Sequence, residues 1–156
     1  MKMYRLAMIT IFLLILATGL SEASEREGSL NTTLFGALLF DGGSSFDIGA
    51  AVGYNLTSRL ELEGEGSVAF SDPNSYILSA GVLYNFDVQH ERLSPYALGG
   101  LAYAGVSGKG GDAKAMLGGG IKFDIRKSFK IRFDLRLYLG NGTWSKLSTG
   151  LMWTFD

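Results

Sequence analysis

Charged side chains recur at alternate positions along the chain, and they are its most numerous candidates for chemistry. Glu61, Glu63 and Glu65 form an acidic run, and Arg132 and Arg136 belong to a basic run near the C-terminus. A spacing of two residues places side chains on one face of a β-strand. Six acids and six bases lie on such faces: Asp47, Glu61, Glu63, Glu65, Lys114, Lys122, Asp124, Lys130, Arg132, Asp134, Arg136 and Lys146. Equal numbers of acids and bases predict a neutral network of ion pairs.

Other reactive residue types are scarce. The 156 residues include no Cys and one His, which excludes a disulfide scaffold and cysteine catalysis and argues against a His-rich metal site. His90 stands beside Glu91 and Arg92, with Ser94 as the only close hydroxyl, and is expected to be a solvated turn residue. The Gly-rich run around Lys109 lacks the spacing of a phosphate-binding loop. The sequence therefore predicts no catalytic residue, cofactor or metal, and a net charge of −1 argues against nucleic-acid binding.

The N-terminus has the organisation of a secretory signal peptide. Lys2 and Arg5 precede an apolar stretch of fifteen residues, and Ser21-Glu22-Ala23 supplies the small residues of a cleavage site. The alternative is a retained helical anchor, but a ~30 Å hydrocarbon core requires roughly 20 apolar residues. We therefore predict a cleaved signal peptide over residues 1–23 and an exported domain over residues 24–156.

Strict alternation of apolar and polar residues dominates the rest of the chain. Phe46, Ile48 and Val52, for example, alternate with Asp47 and Gly49. Six stretches alternate in this way, and two weaker ones complete the set. Short clusters rich in Gly, Asn, Asp and Ser, or in charged residues, separate the eight stretches and are suited to tight reversals. The stretches cover residues 30–40, 46–56, 60–70, 76–86, 94–106, 114–125, 129–139 and 146–155. Short connections make neighbouring strands antiparallel, so the sequence predicts an all-β fold, an eight-stranded antiparallel up-and-down barrel.

The apolar face of these strands predicts the environment of the barrel. It is uniform on most strands and carries aromatic residues near strand ends, such as Phe46, Tyr54, Tyr84 and Phe155. An outward apolar band with aromatic edges is typical of a transmembrane barrel. A strand of about 36 Å, tilted by about 40°, spans roughly 28 Å, close to the ~25 Å apolar band. The apolar face is therefore expected to contact lipid, and Trp144 to anchor at the outer membrane interface.

Two stretches, 30–40 and 94–106, are apolar on both faces, so their register depends on the choice of face. We place these residues on the outer face: Leu30, Leu34, Leu38 and Phe40 in the first stretch, and Tyr96, Leu98, Ala102 and Val106 in the second.

The charged faces are then expected to line the lumen. In a closed barrel of eight strands, the third strand lies opposite the seventh and runs in the same direction. The run from Glu61 to Glu65 would face Lys130, Arg132 and Arg136 at matching depth. Such an interior is just wide enough for side chains to fill it, and unpaired buried charges are costly. We therefore predict a packed network of ion pairs rather than an open channel.

The chain resembles the small outer-membrane β-barrel family of Gram-negative bacteria, the group that contains the OmpA transmembrane domain and OmpX. The last strand carries the most specific likeness, because Gly150, Trp153 and Phe155 fit the signal read by the barrel-assembly machinery. Asp156 follows the aromatic residue on which the family usually ends. The resemblance implies an outer-membrane location with both termini in the periplasm. It implies as partners outer-membrane lipid and lipopolysaccharide, periplasmic chaperones and the assembly machinery.

The turns at the opposite end would then face outside, and all of them are short. Asp112 with Asp41 or Asp72, and Lys109, offer ligands for a divalent cation or for lipopolysaccharide phosphates, although an ordinary solvated loop is the simpler interpretation. We expect a structural role in envelope integrity. The alternatives are a narrow channel, for which Gly49, Gly53, Gly81, Gly118 and Gly120 leave room, a surface interaction module acting through the short loops, and, last, a lipid-modifying enzyme.

Overall fold

Eight β-strands account for most of the chain. The computed structural model describes residues 26–90 and 92–155. The strands are β1 Leu30–Phe40, β2 Ser44–Asn55, β3 Leu60–Phe70, β4 Ser75–Asn85, β5 Leu93–Val106, β6 Gly110–Arg126, β7 Phe129–Leu139 and β8 Trp144–Phe155. Each coincides with a predicted stretch, and β6 begins four residues earlier than expected. The predicted signal peptide, residues 1–23, lies outside the described residues.

Glycines in the turns allow the chain to reverse direction over a few residues. Gly42, Gly108 and Gly142 have φ angles of 70°, 81° and 73°, in the region that glycine adopts at little cost. Between β2 and β3 the hydroxyl of Thr57 accepts hydrogen bonds from the backbone N–H groups of Arg59 and Leu60. Such tight turns keep each strand beside the next one in sequence.

The strands form a closed barrel in sequence order, with every neighbouring pair antiparallel. β1 pairs with β8, so that Leu30 lies opposite Phe155 and Phe40 opposite Ser145. Closure leaves no sheet edge unpaired, as a lipid environment requires. The predicted fold is confirmed. We call the end of the barrel at Leu30 and Phe155 the terminal end, and the end with the turns 41–43, 71–74, 107–109 and 140–143 the distal end.

Side-chain burial is inverted relative to a water-soluble protein. Large apolar side chains cover the outside, where Leu34 is 54% and Leu101 is 70% exposed. Charged side chains fill the inside, and Arg136 is only 1% exposed. An apolar outer surface of this extent is unfavourable in water and favourable in a bilayer. No helix in residues 26–90 or 92–155 is both long and apolar enough to cross a membrane.

Aromatic side chains edge the outer surface at both ends. At the distal end the rings of Phe46 and Phe70 stack with centroids 6.3 Å apart. At the terminal end the rings of Phe129 and Trp153 lie 5.5 Å apart. Aromatic belts at these two depths are the usual boundary of a membrane-spanning band.

The outer face of β1 is the predicted one, with Leu30, Leu34, Leu38 and Phe40 exposed, but the predicted face of β5 is wrong. Tyr96, Leu98 and Ala102 are buried inside the barrel, and Val106 lies on the same inner face. The reason is that the lumen beside β5 is apolar, so both faces of this strand carry apolar residues. Residue size could have indicated the correct face of β5. The crowded inner face has the small residues at 100, 102 and 104, whereas the large Leu101 faces outward.

The predicted interfacial position of Trp144 is also wrong. Its side chain lies inside the barrel at the distal end, where it stacks on Tyr138 with ring centroids 3.9 Å apart. Trp144 shares the inner face of β8 with Lys146, because the two are two positions apart in the strand.

Candidate functional site: the lumen of the barrel

Two arginines of β7 form the centre of the lumen. Arg132 donates through Nη1 and Nη2 to both carboxylate oxygens of Glu63 on β3, across the barrel. Arg136 bridges two acids, with Nη2 2.8 Å from Glu63 Oε1 and Nη1 2.9 Å from Glu65 Oε2. Fork-shaped pairing of this kind is the geometry in which arginine binds carboxylates most strongly. β3 and β7 are therefore joined through the lumen, although neither strand touches the other in the sheet.

Asp134 lies between the two arginines on the same strand and accepts hydrogen bonds from both. Its Oδ2 is 2.8 Å from Nη2 of Arg132 and 3.1 Å from Nη2 of Arg136. The other oxygen, Oδ1, accepts a hydrogen bond from the hydroxyl of Ser148, 2.5 Å away. The negative charge of Asp134 thus offsets the repulsion between the two neighbouring guanidinium groups.

Lys146 extends the pairing toward the distal end. Its ammonium donates to Glu65 and lies 3.6 Å from Asp47 Oδ2. The same ammonium lies 4.6 Å from the centroid of the Phe35 ring. We call the seven ionic side chains joined in this way the central network: Asp47, Glu63, Glu65, Arg132, Asp134, Arg136 and Lys146.

A second, smaller group lies toward the terminal end. Lys122 Nζ is 2.5 Å from Glu61 Oε2, and the other oxygen of Glu61 accepts a hydrogen bond from Asn31, 2.9 Å away. Thr154 donates to Asn31 at 2.9 Å, which ties this group to the last strand. The expected partner of Glu61 was Lys130, which instead pairs with Asp124 on the adjacent strand at 3.2 Å. Asp124 and Lys130 lie directly opposite each other in the β6–β7 ladder, so the shorter reach favours this pair.

Lys114 binds backbone carbonyl groups rather than a carboxylate. Its ammonium donates to the backbone carbonyls of Asn141 and Gly142, at 2.6 and 3.0 Å. It therefore fixes the turn between β7 and β8 and takes no part in the central network.

Tyr96 contacts the central network. The sequence did not predict this contact, because Tyr96 was placed on the outer face of β5. Its hydroxyl donates to Asp134 Oδ2 at 2.9 Å and accepts from Arg132 Nε at 2.7 Å. The guanidinium carbon of Arg132 lies 4.9 Å from the centroid of the Tyr96 ring. Tyr96 thereby connects the charged side chains to the apolar wall that β4 and β5 contribute.

The middle of the lumen is tightly filled. The gap bordered by Glu65, Arg132, Asp134 and Arg136 has no volume that a water molecule could occupy. The glycines expected to leave room have their space taken by neighbours. A Cβ would meet the side chain of Glu61 at Gly53, the carbonyl of Gly99 and then Met116 at Gly81, and the carbonyl of Leu135 and then Arg136 at Gly118.

The side of the lumen lined by β4 and β5 is largely apolar instead of charged, from Leu83 near the terminal end to Ile77 near the distal end. A cluster of buried apolar side chains, which we call the apolar cluster, comprises Leu39, Ala69, Ile77, Leu83, Tyr96, Leu98, Ala102, Met116, Tyr138 and Trp144. Met116 joins the two regions, because its sulfur lies 3.7 Å from Nη1 of Arg136. Above the cluster a cavity of about 440 Å³ opens at the distal end. We call this cavity the cup.

The last strand closes the barrel and holds the residues of the predicted assembly signal. Gly150 faces the lumen, where a Cβ would lie 2.7 Å from the carbonyl oxygen of Leu34 and 2.9 Å from the side chain of Phe35. Trp153 packs on Phe129 at the outer surface, and Phe155 is exposed there. Trp153 and Phe155 therefore lie on the outer face of β8, together with the other aromatic residues of the terminal end.

An inverted eight-stranded barrel of this kind has known relatives. The family described as outer membrane protein beta-barrel domain matches residues 10–155. The chain belongs to this family. Comparison with curated proteins finds no match.

Solved outer-membrane β-barrels share the architecture at low sequence identity. The N-terminal β-barrel domain of Pseudomonas aeruginosa OprF aligns with a TM-score of 0.71 and 23% identity, covering 84% of this chain and 100% of that one. Neisserial surface protein A aligns at 0.60 and 20%, covering 81% and 96%. Ail of Yersinia pestis aligns at 0.56 and 15%, covering 83% and 100%. At such identities the likeness concerns the fold alone.

Proposed function

We propose that this outer membrane β-barrel is a sealed structural element of the envelope, with its termini in the periplasm and its distal end outside. The supporting observation is the filled central network, in which long side chains from β3, β7 and β8 meet across the lumen and leave no space for water. Ions crossing the barrel would have to displace these pairs, and breaking a buried pair is costly.

Short connections support a structural role rather than a receptor role. The four distal turns comprise residues 41–43, 71–74, 107–109 and 140–143, too few to build a large binding surface. We further propose outer-membrane lipid and lipopolysaccharide as the surroundings of the exposed apolar band. Periplasmic chaperones and the assembly machinery would be partners during biogenesis, with Gly150, Trp153 and Phe155 as the assembly signal.

Planar-bilayer recording tests the sealed lumen. Purified protein whose insertion is verified by heat-modifiable gel migration should give no stable unitary openings. Replacing one whole pair, Glu63→Ala with Arg132→Ala, removes both charges and opens space, so this variant should conduct. Lys114→Ala removes one lumen cation outside the central network and should stay silent. Stable openings of the unaltered protein would overturn the proposal and favour a narrow channel.

A further inference from the structure

The cup at the distal end is a second region with the features of a binding site. Its volume of about 440 Å³ lies within the usual range of small-molecule sites. Leu39, Ile77, Ala104 and Trp144 contribute apolar surface to it. The tightly packed gap in the central network lies nearer the terminal end, so the cup is a closed-ended recess rather than the mouth of a pore.

Trp144 is held firmly in this recess. Its ring stacks on Tyr138 at an interplanar angle of 14°, and the 8% of the residue that remains exposed borders the cup. An aromatic side chain at the wall of a recess can contact an apolar or cationic group that enters it.

The ionised groups of the cup leave an excess of negative charge. Asp41 and Asp112 line it and are exposed, and no ion pair joins either of them to another described residue. Lys114 also lines the cup, but its ammonium already donates to the carbonyls of Asn141 and Gly142. Asp112 lies on the part of β6 that extends beyond the first pair with β7, Ala115 with Leu139, so it stands on the wall of the recess.

We infer that the cup binds small amphipathic cations, with the apolar body against Trp144 and the ammonium group beside Asp41 and Asp112. An aromatic surface and two carboxylates both favour a positive charge over a negative one. The inference does not depend on whether the lumen conducts, because it concerns only the recess above the network.

Fluorescence of Trp144 provides the test, since the chain contains two tryptophans. The Trp153→Phe variant, folded in zwitterionic detergent, leaves Trp144 as the single reporter. Three probes of nearly equal size differ in charge: phenethylamine is cationic, 2-phenylethanol neutral and phenylacetate anionic at neutral pH. We expect a saturable fluorescence change with phenethylamine, and an affinity about tenfold or more above that of phenylacetate, with the alcohol between them.

Charge variants separate the site from general attraction to the surface or the micelle. Asp41→Asn with Asp112→Asn should bring the affinities of the three probes together. The matched control is Asp72→Asn, which removes an exposed acid of the same end that does not line the cup, and it should leave the order unchanged. The Trp144→Phe variant, whose reporter is Trp153 on the outer face, should show no saturable change.

Three results would overturn the inference. The first is the absence of a saturable change with phenethylamine. The second is equal binding of all three probes, which is the behaviour of partition into detergent. The third is an equal loss of preference in Asp72→Asn and in the double variant, which would show a diffuse surface potential rather than a site.

Discussion

The central network and the apolar cluster fill neighbouring parts of one lumen by opposite means. In the network, Arg132 and Arg136 reach across from β7 and end on Glu63 and Glu65 of β3. In the apolar cluster, Tyr138 and Trp144 stack on each other from adjacent strands and leave the cup beside them.

The difference follows from side-chain reach and directionality. Arginine and glutamate are long enough to meet at the axis, and each contact satisfies a charge that would otherwise be buried alone. Apolar side chains gain by contact with any neighbour, so they cover the wall without having to meet at the centre. The central network therefore fills the space between its strands with directed contacts, whereas the apolar cluster leaves space open at the distal end.

The largest expected effect comes from reversing a charge of the central network. Glu63→Lys places a third cation beside Arg132 and Arg136, and breaking a buried pair alone costs about 3–5 kcal/mol. The free energy of unfolding in lipid vesicles, measured with urea, should fall by at least that amount. Adding Arg132→Glu should restore part of it, because Arg136 remains beside the new lysine. Absence of any recovery would contradict pairing across the lumen.

Met116 tests whether the two regions depend on each other. Met116→Ala removes apolar contacts in the cluster and the sulfur beside Arg136, and should cost about 2–5 kcal/mol of unfolding free energy. The control Met116→Leu keeps the volume and should cost less than about 1.5 kcal/mol. A loss as large in Met116→Leu as in Met116→Ala would assign the effect to the sulfur contact with Arg136 rather than to packing.

The smallest effect is expected from a single neutral donor. Ser148→Ala removes the hydrogen bond to Asp134, and a bond to a charged group contributes about 1.5–3 kcal/mol. Ser79→Ala is the matched control, because the Ser79 hydroxyl has no hydrogen-bond partner among the described residues. Equal unfolding free energies for the two variants would show that Asp134 is held by its arginines alone.

Much of this architecture was predictable because a β-strand has a period of two. Alternation located six strands and indicated which of their faces contacts lipid, and turn residues delimited the other two, β1 and β5. The face chosen for β1 was confirmed, although both of its faces are apolar. The choice failed on β5, where Tyr96 faces the charged residues and yet belongs to an apolar run. A face can be assigned by polarity only where the two faces differ.

The sequence by itself determined the strand count, the tight turns and the placement of all six acids and six bases on the inner faces, because these depend on local periodicity and turn chemistry. Only the tertiary structure decided which charges meet. Glu61 pairs with Lys122 instead of Lys130, and Lys114 binds the turn between β7 and β8. These partners depend on distances within the closed barrel. The cup was likewise formed by closure, which brings β4 and β5 to face the other strands across the lumen, whereas the inward face of Trp144 follows from its spacing from Lys146.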